Sequence, residues 1–186
     1  AGVMDASFFP SVEEIGVCAA PQTAKTTIAY NCLGYAADRK PGNALVVFPK
    51  EGDAKDNSED RLQPMFKDSP RLKSFTTGYA DDMGTKKIKL LHMLIYMAWA
   101  SSDSRLANRP LPYVHLDEEE KYETTATARE AGHRDLAYHR TRTFGHMRKI
   151  WRTSSPNVES GSLWQYMCND AQVVFDFWPA CPYCGE

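Results

Sequence analysis

The chain has 186 residues, 42% of them hydrophobic and 25% charged, which is the balance of an ordinary globular domain. Its formal net charge of −2 at neutral pH excludes a strongly basic protein, although a basic surface for nucleic acid stays compatible with it if that surface is local. The five cysteines are scattered, and no apolar stretch approaches the roughly 20 residues of a membrane-spanning helix, so a secreted disulfide framework and a membrane anchor are both disfavoured.

Short apolar runs alternate with stretches of helical periodicity, and this alternation predicts an α/β fold with a largely parallel central sheet flanked by helices. The apolar run 44–48, closed by Pro49, is typical of a strand buried on both faces. In chain order, the predicted elements are a strand at 12–18, a helix at 25–38, a strand at 44–48, a helix at 53–66, two strands rather than one helix within 86–100, a strand at 113–116, mostly helix over 118–146, a strand at 149–153, a helix at 162–171 and a last strand at 173–178.

The turn between the first strand and the first helix has the spacing of a phosphate-binding loop (Walker A), Gly-x4-Gly-Lys-Ser/Thr. In such a loop the backbone N–H groups hold phosphates, Lys25 reaches the β- and γ-phosphates, and the Thr26 hydroxyl binds Mg²⁺. Alanine replaces both glycines, at Ala19 and Ala24, and costs about 1 kcal/mol where φ is positive. An ordinary turn with a solvated lysine is therefore the alternative. The predicted nucleotide-binding residues are Ala20, Pro21, Gln22, Thr23, Ala24, Lys25, Thr26 and Thr27.

A second motif lies at the end of the predicted strand 113–116, where two carboxylates, Asp117 and Glu118, follow an apolar run. This is the Walker B pattern, in which the Asp holds Mg²⁺ and the Glu polarises the attacking water as general base. Carboxyl ends of buried parallel strands are also where α/β proteins bind ligands. The alternative is an acidic first turn of the next helix, which the helix dipole favours.

A third motif follows the strand 149–153, which ends in the hydroxyl-rich turn Thr153-Ser154-Ser155-Pro156. A polar residue at such a strand tip can sense the γ-phosphate, and Thr153 is the predicted sensor. A hydroxyl-capped turn before a loop accounts for the same residues equally well.

The order of these three motifs resembles the ATPase domain of phage large terminase subunits, especially the lambda-like branch. Further segments are similar to that family: 44–49 followed by Gly52-Asp53-Ala54, then 61–65 and 69–72, the approach 102–110 to Asp117, and the closing Cys-Pro-Tyr-Cys-Gly at 181–185. The resemblance covers nearly the whole chain beyond residue 15. It implies a P-loop NTPase fold of the RecA-like (ASCE) class.

The resemblance implies an enzyme that hydrolyses ATP with Mg²⁺ and so drives double-stranded viral DNA into a procapsid in the host cytoplasm. The implied partners are the portal protein, a small terminase subunit and further copies of the chain in a ring, with a monomer expected for the isolated domain and no membrane involved. The chain starts with Ala-Gly rather than Met, so we expect a single ATPase domain over 1–186, cut from a longer protein whose nuclease domain is absent here.

Ring motors usually complete each site with an arginine from the neighbouring subunit. Arg109 is the preferred candidate, with Arg105 as a second. A basic stretch is a further source of such an arginine. Its pattern is typical either of a solvated helix face with Glu–Arg pairs or of a surface that faces DNA. That stretch comprises Arg129, Arg134, Arg140, Arg142, Arg148 and Lys149.

Two other functions stay open from the sequence. One is a helicase or translocase of the related P-loop branch, which would need a second RecA-like domain that this chain has no room for. The other is a P-loop module for nucleic acid or assembly that has lost turnover, which the missing loop glycines favour and the joint presence of Lys25, Thr26, Asp117 and Glu118 opposes. Cys181 and Cys184 are half of a zinc ribbon, and no second pair follows.

Overall fold

A six-stranded sheet forms the centre of the protein in a computed structural model that describes residues 2–102, 110–122, 133–157, 159–176 and 184. The strands are β1 Glu14–Cys18, β2 Ala44–Phe48, β3 Lys87–Lys89, β4 Leu94–Trp99, β5 Tyr113–Asp117 and β6 Lys149–Ser154. Their order in the sheet is β1-β6-β5-β2-β4-β3, and only the pair β3 and β4 is antiparallel. The predictions of a largely parallel sheet and of two strands within 86–100 are confirmed.

Helices flank this sheet along the described part of the chain. The α-helices are α1 Val3–Ala6, α2 Lys25–Arg39, α3 Glu51–Asn57, α4 Gln63–Asp68, α5 Pro70–Lys73, α6 His133–Thr141 and α7 Ser162–Asn169. A π-helical turn, Ser58–Leu62, joins α3 to α4 where a single helix was predicted. Pro64 explains the turn, because proline has no N–H to donate and its ring collides with the carbonyl four residues earlier in a regular α-helix. None of the described helices is both long and apolar enough to cross a membrane.

The two faces of the sheet bury separate apolar clusters, since successive side chains of a strand point to opposite sides. One face packs against α2 and includes Val46, Phe48, Ile95, Met97 and Trp151. The other face includes Leu45, Val47, Val114, Leu116 and Ile150. All five residues of β2 are buried, as the continuous apolar run of that strand predicts for the middle of a covered parallel sheet.

The carboxyl ends of the parallel strands meet at one edge of the sheet. There β1 leads into the loop 19–24 before α2, while β5 ends at Asp117 and β6 ends at Ser154. Because β6 lies between β1 and β5, the three predicted motifs come together at this edge. This is the usual ligand position of open α/β sheets.

The predicted last strand at 173–178 is wrong for its described part. Residues 173–176 form no strand, and Phe175 is 87% exposed. An apolar run makes a strand only where a neighbouring strand pairs with it, and the segment lies on the surface. Residues 177–178 lie outside the described residues, as do 123–132 of the predicted helix over 118–146.

Candidate nucleotide-binding site

The loop between β1 and α2 has the strand–loop–helix geometry that its spacing predicts. Gln22 and Ala24 have φ values of 63° and 62°, and Ala24 directly precedes the first residue of α2. Ala24 therefore has a left-handed backbone at the position where the motif has its second glycine. Ala19, at the first glycine position, has no positive φ, and its N–H donates to the carbonyl of Ser154 over 3.1 Å.

Replacing Ala24 with glycine should raise the melting temperature, because glycine adopts a positive φ without the steric cost that alanine bears. The matched control is Ala19→Gly, which should lower it, since glycine only adds entropy to the unfolded chain there. A difference of about 1–2 kcal/mol in the free energy of unfolding between the two variants corresponds to a difference of about 2–8 °C in melting temperature for a domain of this size. Thermal unfolding measures both, and a fall for Ala24→Gly as large as for Ala19→Gly would contradict the strain assigned to Ala24.

Lys25, the first residue of α2, is held by the ends of two other strands. Its ammonium Nζ lies 3.1 Å from Oε1 of Glu118, after β5, and donates to Oγ of Ser155, after β6, over 2.9 Å. The residue is 5% exposed, so the carboxylate compensates a buried positive charge. The lysine is thus paired with the residue predicted to activate water.

Glu118 has a left-handed backbone, with φ 51° and ψ 46°, directly after β5. Its second carboxylate oxygen lies 3.3 Å from Nζ of Lys121. Burial acts to raise the pKa of the Glu118 carboxyl, but the hydrogen bond from Lys25 and the charges of Lys121 and Lys25 outweigh it, so the pKa lies below its usual value. Glu118 is therefore an ionised carboxylate at neutral pH.

Asp117 is the centre of a buried hydroxyl–carboxylate cluster. Its Oδ1 accepts hydrogen bonds from Thr26 over 3.0 Å and from Thr153 over 2.7 Å. Nε2 of His115 lies 2.9 Å from the same Thr153 hydroxyl, which can accept from the ring while it donates to Asp117. Burial lowers the pKa of His115, and the opposing charge of Asp117 is the smaller effect, so the imidazole is neutral at neutral pH.

The residues at this edge fit a magnesium ion. Thr26 and Asp117 supply the hard oxygen donors that Mg²⁺ prefers, 3.0 Å apart and at the ends of different elements. Among the described residues, no group of three or more His, Cys, Asp or Glu could hold a metal without other ligands. Proteins usually hold Mg²⁺ by one or two side chains while substrate phosphates supply further oxygens.

The structure also shows contacts that the sequence alone did not assign. Ser155 is the residue of this turn whose hydroxyl accepts a hydrogen bond from the Lys25 ammonium. Thr153 instead donates to Asp117 and is only 1% exposed. The hydroxyl-rich turn was the signal for Ser155, but a turn of three hydroxyls does not show which one faces the loop. A buried ion pair between Arg152 and Glu119 beside the site gave no sequence signal at all.

The predicted arginine candidates Arg109 and Arg105 lie outside the described residues. Two members of the basic stretch are buried in structural contacts instead of facing DNA. Arg148 pairs with Glu13, and Lys149 donates to the carbonyl of Phe9 over 2.7 Å. Cys184, from the predicted half zinc ribbon, is exposed, and Cys181 lies outside the described residues.

The chain is similar to known phage terminase ATPase domains. A family model described as phage terminase large subunit gpA, ATPase domain, matches residues 1–186. The solved ATPase domain of the Thermus phage P74-26 large terminase matches with a TM-score of 0.64 and 11% identity, over 95% of this chain and 72% of that chain. An arginine-to-alanine mutant of that domain matches with a TM-score of 0.59 and 13% identity, over 90% of this chain and 69% of that chain. At such identities the structural likeness shows the fold, and no curated protein matches the chain.

Proposed function

The chain belongs to the family of phage terminase large subunit ATPase domains, and we propose that it binds and hydrolyses ATP at the sheet edge where β1, β5 and β6 end. As a member of this family it is a DNA-packaging motor ATPase with a P-loop fold. One observation carries the location of the site. The loop lysine and the hydroxyl of Thr26 lie against the two carboxylates Asp117 and Glu118, at 3.1 Å and 3.0 Å.

The first step is an exchange of partners at Lys25. The backbone N–H groups of Ala20 and of residues 22–27 would face the phosphates, and Lys25 would leave Glu118 and Ser155 to bind them. Thr26 and Asp117 would hold Mg²⁺, which would neutralise charge on the phosphates. Nucleotide would therefore compete with Glu118 for Lys25, because one ammonium cannot hold both the carboxylate and the phosphates at full strength.

The same exchange activates Glu118 as a base. While Lys25 donates to it, the Glu118 carboxylate is stabilised and its pKa is low. When Lys25 moves to the phosphates, this hydrogen bond is lost and burial acts to raise the pKa, so the carboxylate becomes a better proton acceptor. Glu118 would therefore take a proton from water mainly when nucleotide is bound.

Sensing of the γ-phosphate is proposed for the tip of β6. Thr153 contacts the Mg²⁺-binding carboxylate of Asp117, and Ser155 contacts the phosphate-binding Lys25. Loss of the γ-phosphate would change both contacts, and β6 would transmit the change because it lies in the middle of the sheet between β1 and β5. Thr153 then senses through Asp117 rather than by touching phosphate.

The wider assembly is proposed from the family. Residues 1–186 act as a single ATPase domain without the nuclease, in a ring at the portal with a small terminase subunit and double-stranded DNA, in the host cytoplasm. Arg109 is the proposed residue that one subunit supplies to its neighbour, where its charge stabilises the transferring phosphate. The helicase and inactive-module alternatives differ from this proposal in substrate and in turnover.

Replacing Asp117 with asparagine should lower steady-state ATP hydrolysis by about 10- to 100-fold and raise the Mg²⁺ concentration that is needed, because one anionic ligand is lost. The matched control is Asp82→Asn, an aspartate bonded to Thr77 at the far end of the sheet, which should leave the rate unchanged. Hydrolysis by wild type that neither needs Mg²⁺ nor responds to Asp117→Asn would refute the site. Tight ATP binding by wild type with no turnover would favour the inactive module.

A further inference from the structure

We propose that Arg152 is a positioning residue, which acts through Glu119 to fix the backbone of Glu118 and so aims the carboxylate that activates water. This inference rests on the proposed function, in which Glu118 is the general base. Arg152 itself is 0% exposed and lies on the opposite face of β6 from Thr153, which is on the α2 face with Asp117, so Arg152 acts on the site through its partners.

The backbone of Glu118 needs an external support. Its φ of 51° and ψ of 46° place a residue with a long side chain in the left-handed region, which non-glycine residues adopt rarely. Such conformations persist where the surrounding contacts hold them, and they concentrate at functional sites. Glu118 has only one backbone contact of its own in this turn, in which its carbonyl accepts from the N–H of Lys121 over 2.9 Å. The residues on either side of it provide the rest.

Two successive residues of β6 anchor the two neighbours of Glu118 on opposite faces of the sheet. Thr153 donates to Asp117 over 2.7 Å on the face that packs against α2. Arg152 points to the other face and binds Glu119 with two parallel hydrogen bonds of 2.6 Å and 2.8 Å. Residues 117 and 119 of a regular strand would point to the same face, so the left-handed turn at Glu118 is what lets each carboxylate reach its own anchor.

The guanidinium of Arg152 is itself fixed from several sides. It donates to Glu14 of β1 over 3.0 Å and to Ser162 of α7 over 2.9 Å, and it lies 4.9 Å from the ring centre of Tyr166. A planar fork that binds a carboxylate with two bonds holds position better than a single ammonium would. Glu119 therefore has one available orientation, and the turn that contains Glu118 is fixed with it.

A second buried arginine, directly before the same strand, offers a matched control. Arg148 precedes β6, is 9% exposed, pairs with Glu13 and lies over the ring of Tyr138 at 4.1 Å. It resembles Arg152 in burial, in an acidic partner and in an aromatic neighbour, but it lies at the opposite end of β6 from Glu118. A purely structural role for Arg152 would make the two arginines equivalent in every assay of turnover.

The test compares Arg152→Lys, Glu119→Gln and Arg148→Lys with wild type and Glu118→Gln, by kcat, KM and calorimetric Kd for MgATP and by thermal unfolding. We expect kcat to fall by about 10- to 100-fold for Arg152→Lys and Glu119→Gln, with Kd within about threefold of wild type, because a base displaced by about 1 Å loses rate and not affinity. Arg148→Lys should lower the melting temperature and keep the wild-type kcat.

A kcat of Glu119→Gln equal to that of wild type overturns the inference. Equal losses of kcat in Arg148→Lys and Arg152→Lys, each accompanied by a lower melting temperature, also overturn it. If Arg152→Lys does not fold, Glu119→Gln decides alone, because it keeps the size of the buried side chain. A wild-type chain without turnover overturns the proposed function instead. Normal turnover in wild type, its loss in Glu118→Gln and no effect at Glu119 would overturn only the positioning role.

Discussion

Replacing Glu118 with glutamine should lower kcat for ATP hydrolysis by about 10²- to 10⁴-fold, the usual contribution of a general base, while MgATP still binds. Glutamine has the size of glutamate and accepts hydrogen bonds, but it cannot take a proton from water at neutral pH. Affinity should hold or increase, because the ion pair between Glu118 and Lys25 competes with the phosphates in wild type. Single-turnover hydrolysis and calorimetric titration of the same preparation separate the two effects.

A surface glutamate serves as the control for this variant. Glu51 begins α3 and pairs with Lys86 over 2.8 Å, with both side chains more than half exposed, so Glu51→Gln should change neither kcat nor Kd. An unchanged kcat in Glu118→Gln would show that another group accepts the proton. A loss of binding as large as the loss of rate would show instead that the carboxylate holds the nucleotide.

Replacing Lys25 with alanine should weaken MgATP binding by about 100-fold, which corresponds to about 2.7 kcal/mol and is the range of a charge-assisted hydrogen bond lost from a site. The variant also leaves Glu118 without its closest cation, and that uncompensated carboxylate repels phosphates. The effect should appear in Kd first, in contrast to the effect of Glu118→Gln, which should appear in kcat. Calorimetric titration of MgATP into both variants makes the comparison.

The control for Lys25→Ala is Lys86→Ala, which removes an exposed lysine of a surface ion pair and should leave Kd within about twofold, since such pairs contribute little. Equal affinity of Lys25→Ala and wild type would mean that Lys25 has only the structural role of compensating Glu118. In that case the melting temperature of Lys25→Ala, and not its Kd, would carry the whole effect of the substitution.

The sheet and the positions of the main site residues could be predicted from the sequence because both depend on local patterns. The apolar run of β2 fixes a strand covered on both faces, and the spacing from β1 to Lys25 and Thr26 fixes a strand, a loop and a helix in succession. Parallel strands then bring the carboxyl end of β5, with Asp117, to the same edge. The alanines did not prevent the loop from forming, because only Ala24 needs a positive φ at a glycine position.

The supporting contacts could not be predicted, because they join residues whose separation in sequence has no repeat or spacing. Arg152 and Glu119 are 33 residues apart, and nothing local distinguishes them from the other charged residues of their segments. The choice between Thr153 and Ser155 depended on where the strand ends, because Thr153 lies inside β6 and Ser155 follows it, and β6 ends one residue later than its predicted boundary.

Apolar composition also led to a wrong prediction where a segment has no neighbouring strand to pair with. The run at 173–176 has the residues of a strand, yet it pairs with no strand and leaves Phe175 in solvent. Trp164 shows the same limit, because it lies on the outer side of α7 and is 38% exposed, although aromatic residues of its kind are usually in the core. Trp151, on the α2 face of β6, is in the core.

The most direct test of the proposed site is a calorimetric titration of ATP into the wild-type chain, with Mg²⁺ and with excess EDTA. We expect one molecule of ATP to bind per chain with Mg²⁺, and to bind more weakly once EDTA removes the ion that Thr26 and Asp117 hold. Absence of binding at millimolar ATP with Mg²⁺, in a wild-type chain that unfolds cooperatively and is therefore folded, would contradict a working nucleotide site in the loop that contains Ala24.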